Sequence, residues 1–171
     1  MRTLILTGIL WCTGIVLFAQ NPGEPLDSRP LNGIYLNLLG DASLISVNYE
    51  RIVFVSPAFA LSGKLGLGYN KEFKLCLFGV CPPADEYATI PHHITVNFGK
   101  GRHFFEFGLG GTLISGNKSQ PYLLYPIFGY RILPLSSNKT NFRLFAQIPF
   151  QRLEKPGILF SPIGLSLGVS F

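Results

Sequence analysis

The sequence predicts an all-β fold, namely an eight-stranded antiparallel transmembrane β-barrel with a filled polar lumen. Three observations lead to this prediction. From Ile163 to Phe171, apolar residues at odd positions alternate with Gly or Ser at even positions. Further segments of about ten residues, the length that a tilted membrane strand needs, show the same period of two. Only 13% of the residues are charged, and the chain contains 15 Phe and 19 Gly, as is typical of a membrane barrel.

The first 20 residues are predicted to be a secretory signal peptide. Arg2 is followed by an uncharged, mostly apolar run from Thr3 to Phe18, and the polar segment after Gln20 contains Pro. A membrane anchor is disfavoured because this run is shorter than the roughly 20 residues that a spanning helix needs. Residues 21–32 are then a periplasmic lead segment, and residues 33–171 form the barrel domain.

Charge and cysteine content narrow the possible functions. Loss of Arg2 with the signal lowers the formal net charge from +5 to +4, and the absence of any Lys or Arg run disfavours nucleic-acid binding. Cys12 leaves with the signal, so Cys76 and Cys81 remain and are expected to form a disulfide in an oxidising compartment. A metal pair is the alternative, but no His or second Cys pair has ligand spacing, so neither a metal nor another cofactor is predicted.

Eight predicted strands follow one another, with turn-forming residues between them. They are placed at 33–39, 44–54, 58–70, 91–99, 103–114, 122–132, 141–151 and 161–171. Turn residues cluster at 40–43, 56–57, 99–102, 134–138 and 155–157. If the N-terminus begins on the periplasmic side, the long insert at 71–90 faces outward, and the short linkers at 55–57 and 99–102 face inward. An even strand number returns the C-terminus to the periplasmic side.

Aromatic residues are expected to form a girdle at the periplasmic ends of the strands. When the apolar phase of each strand faces lipid, six strands contribute one aromatic residue each at this level. These residues are Phe59, Phe98, Phe105, Tyr130, Phe142 and Phe171. Tyr69, Tyr122 and Phe150 are the candidates for the opposite rim.

The other phase of the strands is polar, includes His93 on the fourth strand, and is expected to face the lumen. Its predicted charge cluster consists of Glu50, Lys64, Glu106, Arg131 and Arg143. Because side chains fill the interior of an eight-stranded barrel, the cluster is interpreted as an ion-paired plug, with a gate or a narrow proton or ion path as the alternative. A soluble barrel is disfavoured, since charged residues beside Gly and Ser would make a poor apolar core.

Four segments together resemble the small outer-membrane β-barrel domain family of the OmpA/OmpX architecture, over residues 33–171. The segments are 46–51, 105–110, 129–131 and 165–171. The last predicted strand, in which apolar residues alternate with Gly or Ser up to Phe171, is similar to the last strand of bacterial outer-membrane barrels, which the barrel assembly machinery recognises. The resemblance implies a Gram-negative outer membrane, contact with its lipids and no single activity. No peptidoglycan-binding domain is expected after the barrel.

No catalytic residue is predicted. His92 and His93, close to Asp85 and Glu86, are residue types that outer-membrane enzymes remodelling lipid A use, but no nucleophile lies at a recognisable spacing, so a loop-capping histidine or one at the barrel rim is favoured. The apolar tip of the 71–90 loop is a candidate for binding an extracellular ligand, or for covering the barrel mouth. The predicted function is a structural or surface-interaction role without a general pore. A small enzyme for lipid A acyl hydrolysis or transfer is the alternative, and a channel is the third possibility.

Overall fold

The structure, a computed structural model, describes residues 29–71, 84–116, 120–153 and 158–171. They form eight strands in sequence order. These are β1 (Asn32–Leu38), β2 (Ile45–Ser56), β3 (Phe59–Lys71), β4 (Glu86–Lys100), β5 (His103–Ser115), β6 (Tyr122–Ile132), β7 (Thr140–Gln147) and β8 (Ile163–Ser170). Within these ranges, no helix is long and apolar enough to cross a membrane.

Every strand pairs antiparallel with its neighbour in sequence, and β1 pairs with β8, so the sheet closes into a barrel. Closure leaves the sheet without a free edge strand. The predicted fold class is therefore confirmed as an all-β, closed, eight-stranded antiparallel barrel.

The two ends of the barrel differ in the connections that they contain. Connections 57–58, 101–102 and 133–139 and the C-terminal residue lie at one end, here called the turn end. Connections 39–44, 72–85, 116–121 and 148–162 lie at the other, here called the loop end.

Two strand boundaries differ by more than two residues from those predicted. β4 begins at Glu86 instead of residue 91, because residues 86–89 pair with residues 68–71 of β3 and Ala88 also pairs with Ser115 of β5. β7 ends at Gln147 instead of residue 151, where the amide of Phe150 donates to the carbonyl of Leu124 outside the β7–β8 ladder. The predicted long insert therefore shortens from 71–90 to 72–85.

The period of two separates the outer surface of the barrel from its interior. Outward-facing Leu, Ile, Val and Phe side chains are exposed, up to 71% at Leu67 and 76% at Ile94. Inward-facing positions bury Asn, Thr, Ser and the charged residues, among them Glu50, Glu106 and Arg131 at 1–2% exposure. This arrangement is the reverse of a water-soluble protein, because the polar side chains form the interior.

The interior consists of a polar layer between two apolar clusters. Ile52, Ala60, Phe104 and Leu133 form the cluster at the turn end. Ala42, Ile114, Leu123, Tyr125, Ile127, Phe145 and Ile158 form the cluster toward the loop end. Along β5, the inward-facing Glu106 lies between Phe104 and Ile114, so that strand crosses all three layers. The charged layer is thus covered on both sides by apolar side chains.

Candidate functional site in the lumen

A connected series of ionisable side chains crosses the barrel interior. It is here called the lumen network, and it runs in the order Glu50, Arg131, Glu106, Arg143, His93, Asp41 and Lys64. All seven side chains are buried. Six of them come from six different strands, and Asp41 comes from the loop between β1 and β2. Because only the closed barrel brings these strands around one axis, the network depends on complete folding.

Arg131 on β6 has the largest number of partners in the network. Its guanidinium donates to both carboxylate oxygens of Glu50, with Nη1 2.9 Å from Oε1, which is a bidentate pair. The same group donates to Asn97 Oδ1 at 3.2 Å, to Ser62 Oγ at 3.3 Å and to the Tyr35 hydroxyl at 3.3 Å. These contacts satisfy a buried cation that would otherwise be costly to desolvate.

Glu106 on β5 lies between two arginines. Its Oε2 accepts a hydrogen bond from Nε of Arg143, and its Oε1 lies 3.7 Å from Nη1 of Arg131. Arg143 also packs over the ring of Phe145, 4.2 Å from its centroid, and its Nη2 lies 3.3 Å from Nδ1 of His93. Since arginine can only donate, Nδ1 accepts and the proton of the neutral imidazole resides on Nε2.

Asp41 enters the lumen from the loop end and completes the network. Its Oδ1 lies 2.9 Å from Nε2 of His93, and its Oδ2 lies 2.7 Å from Nζ of Lys64. Its backbone is also held, because the amide donates to Gln147 Oε1 at 3.1 Å and the carbonyl accepts from Thr112 Oγ1 at 2.7 Å. The loop is therefore fixed to the barrel wall on several sides.

The backbone of this loop adopts an unusual conformation. Leu39, Gly40, Asp41 and Ala42 have φ of 59°, 73°, 55° and 49°, so four successive residues lie in the left-handed region. For residues with a side chain this conformation costs roughly 1–2 kcal/mol each. The contacts of Asp41 and the burial of Ala42 in the loop-end cluster offset that cost.

The structure places all five residues of the predicted charge cluster inside the barrel. Two of them that are cross-strand neighbours do not pair with each other. Glu50 and Lys64 are opposite each other in the β2–β3 register, yet Glu50 pairs with Arg131 and Lys64 pairs with Asp41. Sequence analysis assigned Asp41 to a turn and missed its role. A charge count offers the missing signal, because the predicted cluster has three cations and only two anions, and Asp41 balances it.

His93 faces the lumen, as the polar phase of its strand predicts, but it lies away from the barrel rim, which corrects the rim position. It is in the middle of β4, since that strand starts five residues earlier than predicted. Asp41 and Arg143 contact its two ring nitrogens, and the hydroxyl of Tyr125 lies 3.3 Å from Nε2. With Nδ1 directed at a guanidinium, this histidine is not arranged to take a proton from a nucleophile.

His92, the neighbouring residue, points to the outer surface. Its Nε2 lies 2.9 Å from the hydroxyl of Tyr122, and the two rings are stacked with centroids 5.6 Å apart. Asp85 and Glu86 are remote from His93, and Glu86 instead pairs with Lys71 at 3.1 Å at the loop end. Among the residues that the structure describes, no three His, Cys, Asp or Glu side chains are arranged to hold a metal ion.

Four of the six predicted girdle residues form a row across β3 to β6 at the turn end. Phe59 pairs with Phe98, Phe98 with Phe105, and Phe105 with Tyr130. The ring centroids of Phe59 and Phe98 are 4.9 Å apart, and those of Phe105 and Tyr130 are 5.8 Å apart. The other two are Phe142 on β7 and Phe171, which follows β8 and is exposed. Cys76, Cys81 and the predicted signal peptide lie outside the described residues.

Comparison of the chain with protein-family models, with curated proteins and with solved structures finds no match.

Proposed function

We propose that this protein is an outer-membrane β-barrel with a structural or surface-interaction role and without a general pore. The observation that carries the proposal is the outer surface of the closed barrel, where Leu, Ile, Val and Phe side chains are exposed on every strand while the ionisable side chains of the lumen network lie inside. In water such a continuous apolar surface would drive aggregation. In a bilayer it is the surface that lipid chains require.

The filled interior supports the absence of a general pore. The lumen network is charge-balanced, with three carboxylates against one lysine and two arginines. Apolar clusters cover it toward both ends. An ion crossing the barrel would have to displace these side chains and separate buried ion pairs, and breaking such pairs is costly.

The unequal ends support a role at the cell surface. In outer-membrane barrels the turns on the periplasmic side are short and the loops on the outer side are longer. By this rule the turn end, which includes Phe171, faces the periplasm, and the loop end is exposed to the exterior. The strands that end there are also joined by the two longest sequences between consecutive strands, residues 72–85 and 148–162.

Reconstitution into lipid vesicles tests the proposal. The folded protein should float with the vesicles, resist protease over its strands and give no steady conductance step in planar bilayers. Recovery of the protein in the aqueous fraction would overturn the membrane assignment. A large, stable conductance would overturn only the absence of a pore.

Epitope insertion in intact cells tests the orientation. A tag inserted after Arg152 at the loop end should bind antibody without permeabilisation, whereas the same tag after Ser137 at the turn end should not. The opposite labelling pattern would contradict the surface role while leaving the barrel assignment intact.

The enzyme alternative has one structural candidate, the contact between His93 and Asp41. Because Arg143 occupies the second ring nitrogen, no hydroxyl nucleophile is in position there. Mass spectrometry of lipid A from cells with and without the protein tests this alternative. A change in acylation that His93→Ala abolishes would favour the enzyme over the structural role.

A further inference from the structure

The outer surface of the barrel contains few basic groups. Away from the first and last residues of each described strand, the outward-facing positions are apolar, aromatic or glycine, apart from two basic residues, Arg51 on β2 and His92 on β4. His92 is bonded to Tyr122. Arg51 is exposed, and among the described residues no carboxylate forms an ion pair with it.

Arg51 is at the level of the aromatic residues of the turn end. It pairs with Asn32 on β1, and the backbone of Asn32 bonds to that of Phe171. Tyr49, the next outward-facing residue of β2, donates its hydroxyl hydrogen to Asn32 Oδ1 at 2.7 Å. In a bilayer a charged side chain is tolerated at this level, because it costs little near the headgroups.

A groove begins beside Arg51 and continues along the outer surface. On the other side of Arg51 the register partner is Gly63, where a Cβ would meet no atom within 4 Å. From Gly63 the groove passes Leu65, Ile94 and Leu109 and reaches Tyr122 near the loop end. Its volume of about 940 Å³ is in the range of small-molecule sites.

The exposed charged side chains at the turn end have a single sign. In the described ranges, Arg51, Lys100, Arg102 and Lys139 are at least partly exposed there, and no exposed Asp or Glu accompanies them. The exposed acidic residues that the structure describes, Asp85 and Glu86, belong to the loop end. The turn end is therefore complementary to an anionic headgroup layer.

We propose that the groove binds one anionic glycerophospholipid of the leaflet at the turn end. The guanidinium of Arg51 pairs with the phosphate, for which its planar donors are well suited. One acyl chain lies over Gly63 and continues along Ile94 and Leu109 toward Tyr122. This inference depends on the proposed membrane location, because it requires a leaflet at the level of Arg51.

Native mass spectrometry of the protein, released from detergent that contains equal amounts of phosphatidylglycerol and phosphatidylcholine, tests the inference. The unmodified protein should retain one phosphatidylglycerol in preference to phosphatidylcholine. Gly63→Leu should lower retention of both lipids by about tenfold, because its side chain fills the groove. Arg51→Gln should remove the preference for the anionic lipid, because both lipids lose the contact to their phosphate but only phosphatidylglycerol has no headgroup cation of its own and loses its net attraction to Arg51.

Two control variants distinguish an effect of the groove on lipid retention from general effects of added apolar bulk or of a lost positive charge. Ala146→Leu adds apolar bulk to the outer face of β7, away from the groove, and Arg152→Gln removes a positive charge at the loop end. Both should retain phosphatidylglycerol as the unmodified protein does. If Gly63→Leu does not fold, Arg51→Gln decides the result alone.

The possible failures are distinguishable from one another. A protein that inserts into vesicles but retains both lipids equally, or a Gly63→Leu variant that binds like the unmodified protein, would overturn the lipid site and leave the membrane assignment in place. Equal effects of Arg51→Gln and Arg152→Gln would likewise overturn it, because general surface charge would then explain the preference. A protein that does not insert at all would overturn both.

Discussion

Asp41 Oδ1 lies 2.9 Å from Nε2 of His93, within the barrel, although Asp41 belongs to the loop between β1 and β2. The contact joins that loop to the middle of β4, and Lys64 on β3 holds the second carboxylate oxygen at 2.7 Å. The loop between β1 and β2 is therefore part of the interior and stabilises the charged layer.

The Asp41→Asn variant tests this role. Loss of the carboxylate leaves Lys64 without its buried anion, so the free energy of unfolding should fall by about 3–5 kcal/mol. Urea unfolding in detergent or vesicles measures the change. Glu86→Gln is the matched control, because it breaks the exposed Lys71–Glu86 pair and should leave stability nearly unchanged. Equal effects of the two variants would contradict the buried role of Asp41.

Glu106→Ala should destabilise the barrel by about 3 kcal/mol, because the buried guanidinium of Arg143 loses its hydrogen-bond acceptor. The temperature at which the folded band disappears in heat-modified gel mobility reports the change. The double variant Glu106→Ala with Arg143→Met should recover part of the loss, since it removes the unpaired cation as well. If the two substitutions were simply additive, the assigned pairing would be wrong.

Gly40→Ala should destabilise the protein more than Gly101→Ala does. Both glycines have a positive φ, 73° and 62°, so each variant carries a conformational cost of about 1 kcal/mol. Only at Gly40 would the new Cβ meet close neighbours, at 2.8 Å from Phe145 Cζ and 2.9 Å from Gly164 Cα, while at Gly101 it meets none within 4 Å. The difference between the two unfolding free energies measures how tightly the Asp41 loop packs against the wall.

Arginine substitutions at Val47 and Val55 test whether these two outward-facing positions lie at different depths in a bilayer. Both valines face outward on β2, with exposures of 55% and 60%. Val47 lies in the middle of the barrel, opposite Leu36 and Leu67, and Val55 is next to the β2–β3 turn. In vesicles, Val47→Arg should cost about 2–4 kcal/mol and Val55→Arg about 0–1 kcal/mol. Nearly equal costs would indicate that the outer surface is in water.

The strand pattern made most of the fold predictable. A side chain in a strand faces one of two sides, so a period of two assigns residues such as Glu50, Glu106 and Arg131 to the interior without knowledge of any partner. The same rule assigned Phe98 and Phe105 to the outer surface. The predicted strand ends were less accurate than the predicted faces. Residues 86–90 of β4, for example, are strand only through their pairing with β3 and β5.

The sequence by itself determined the strand number, the inward and outward faces and the residues of the charge cluster, because these follow from local periodicity. Only the tertiary structure decided which charges meet. Glu50 and Lys64 are cross-strand neighbours but have separate partners. Asp41 contacts Lys64 and His93 from a loop whose backbone conformation its residues would not favour in isolation. The left-handed backbone of that loop is stable only with its contacts to the barrel wall, and those contacts exist only after the strands have closed.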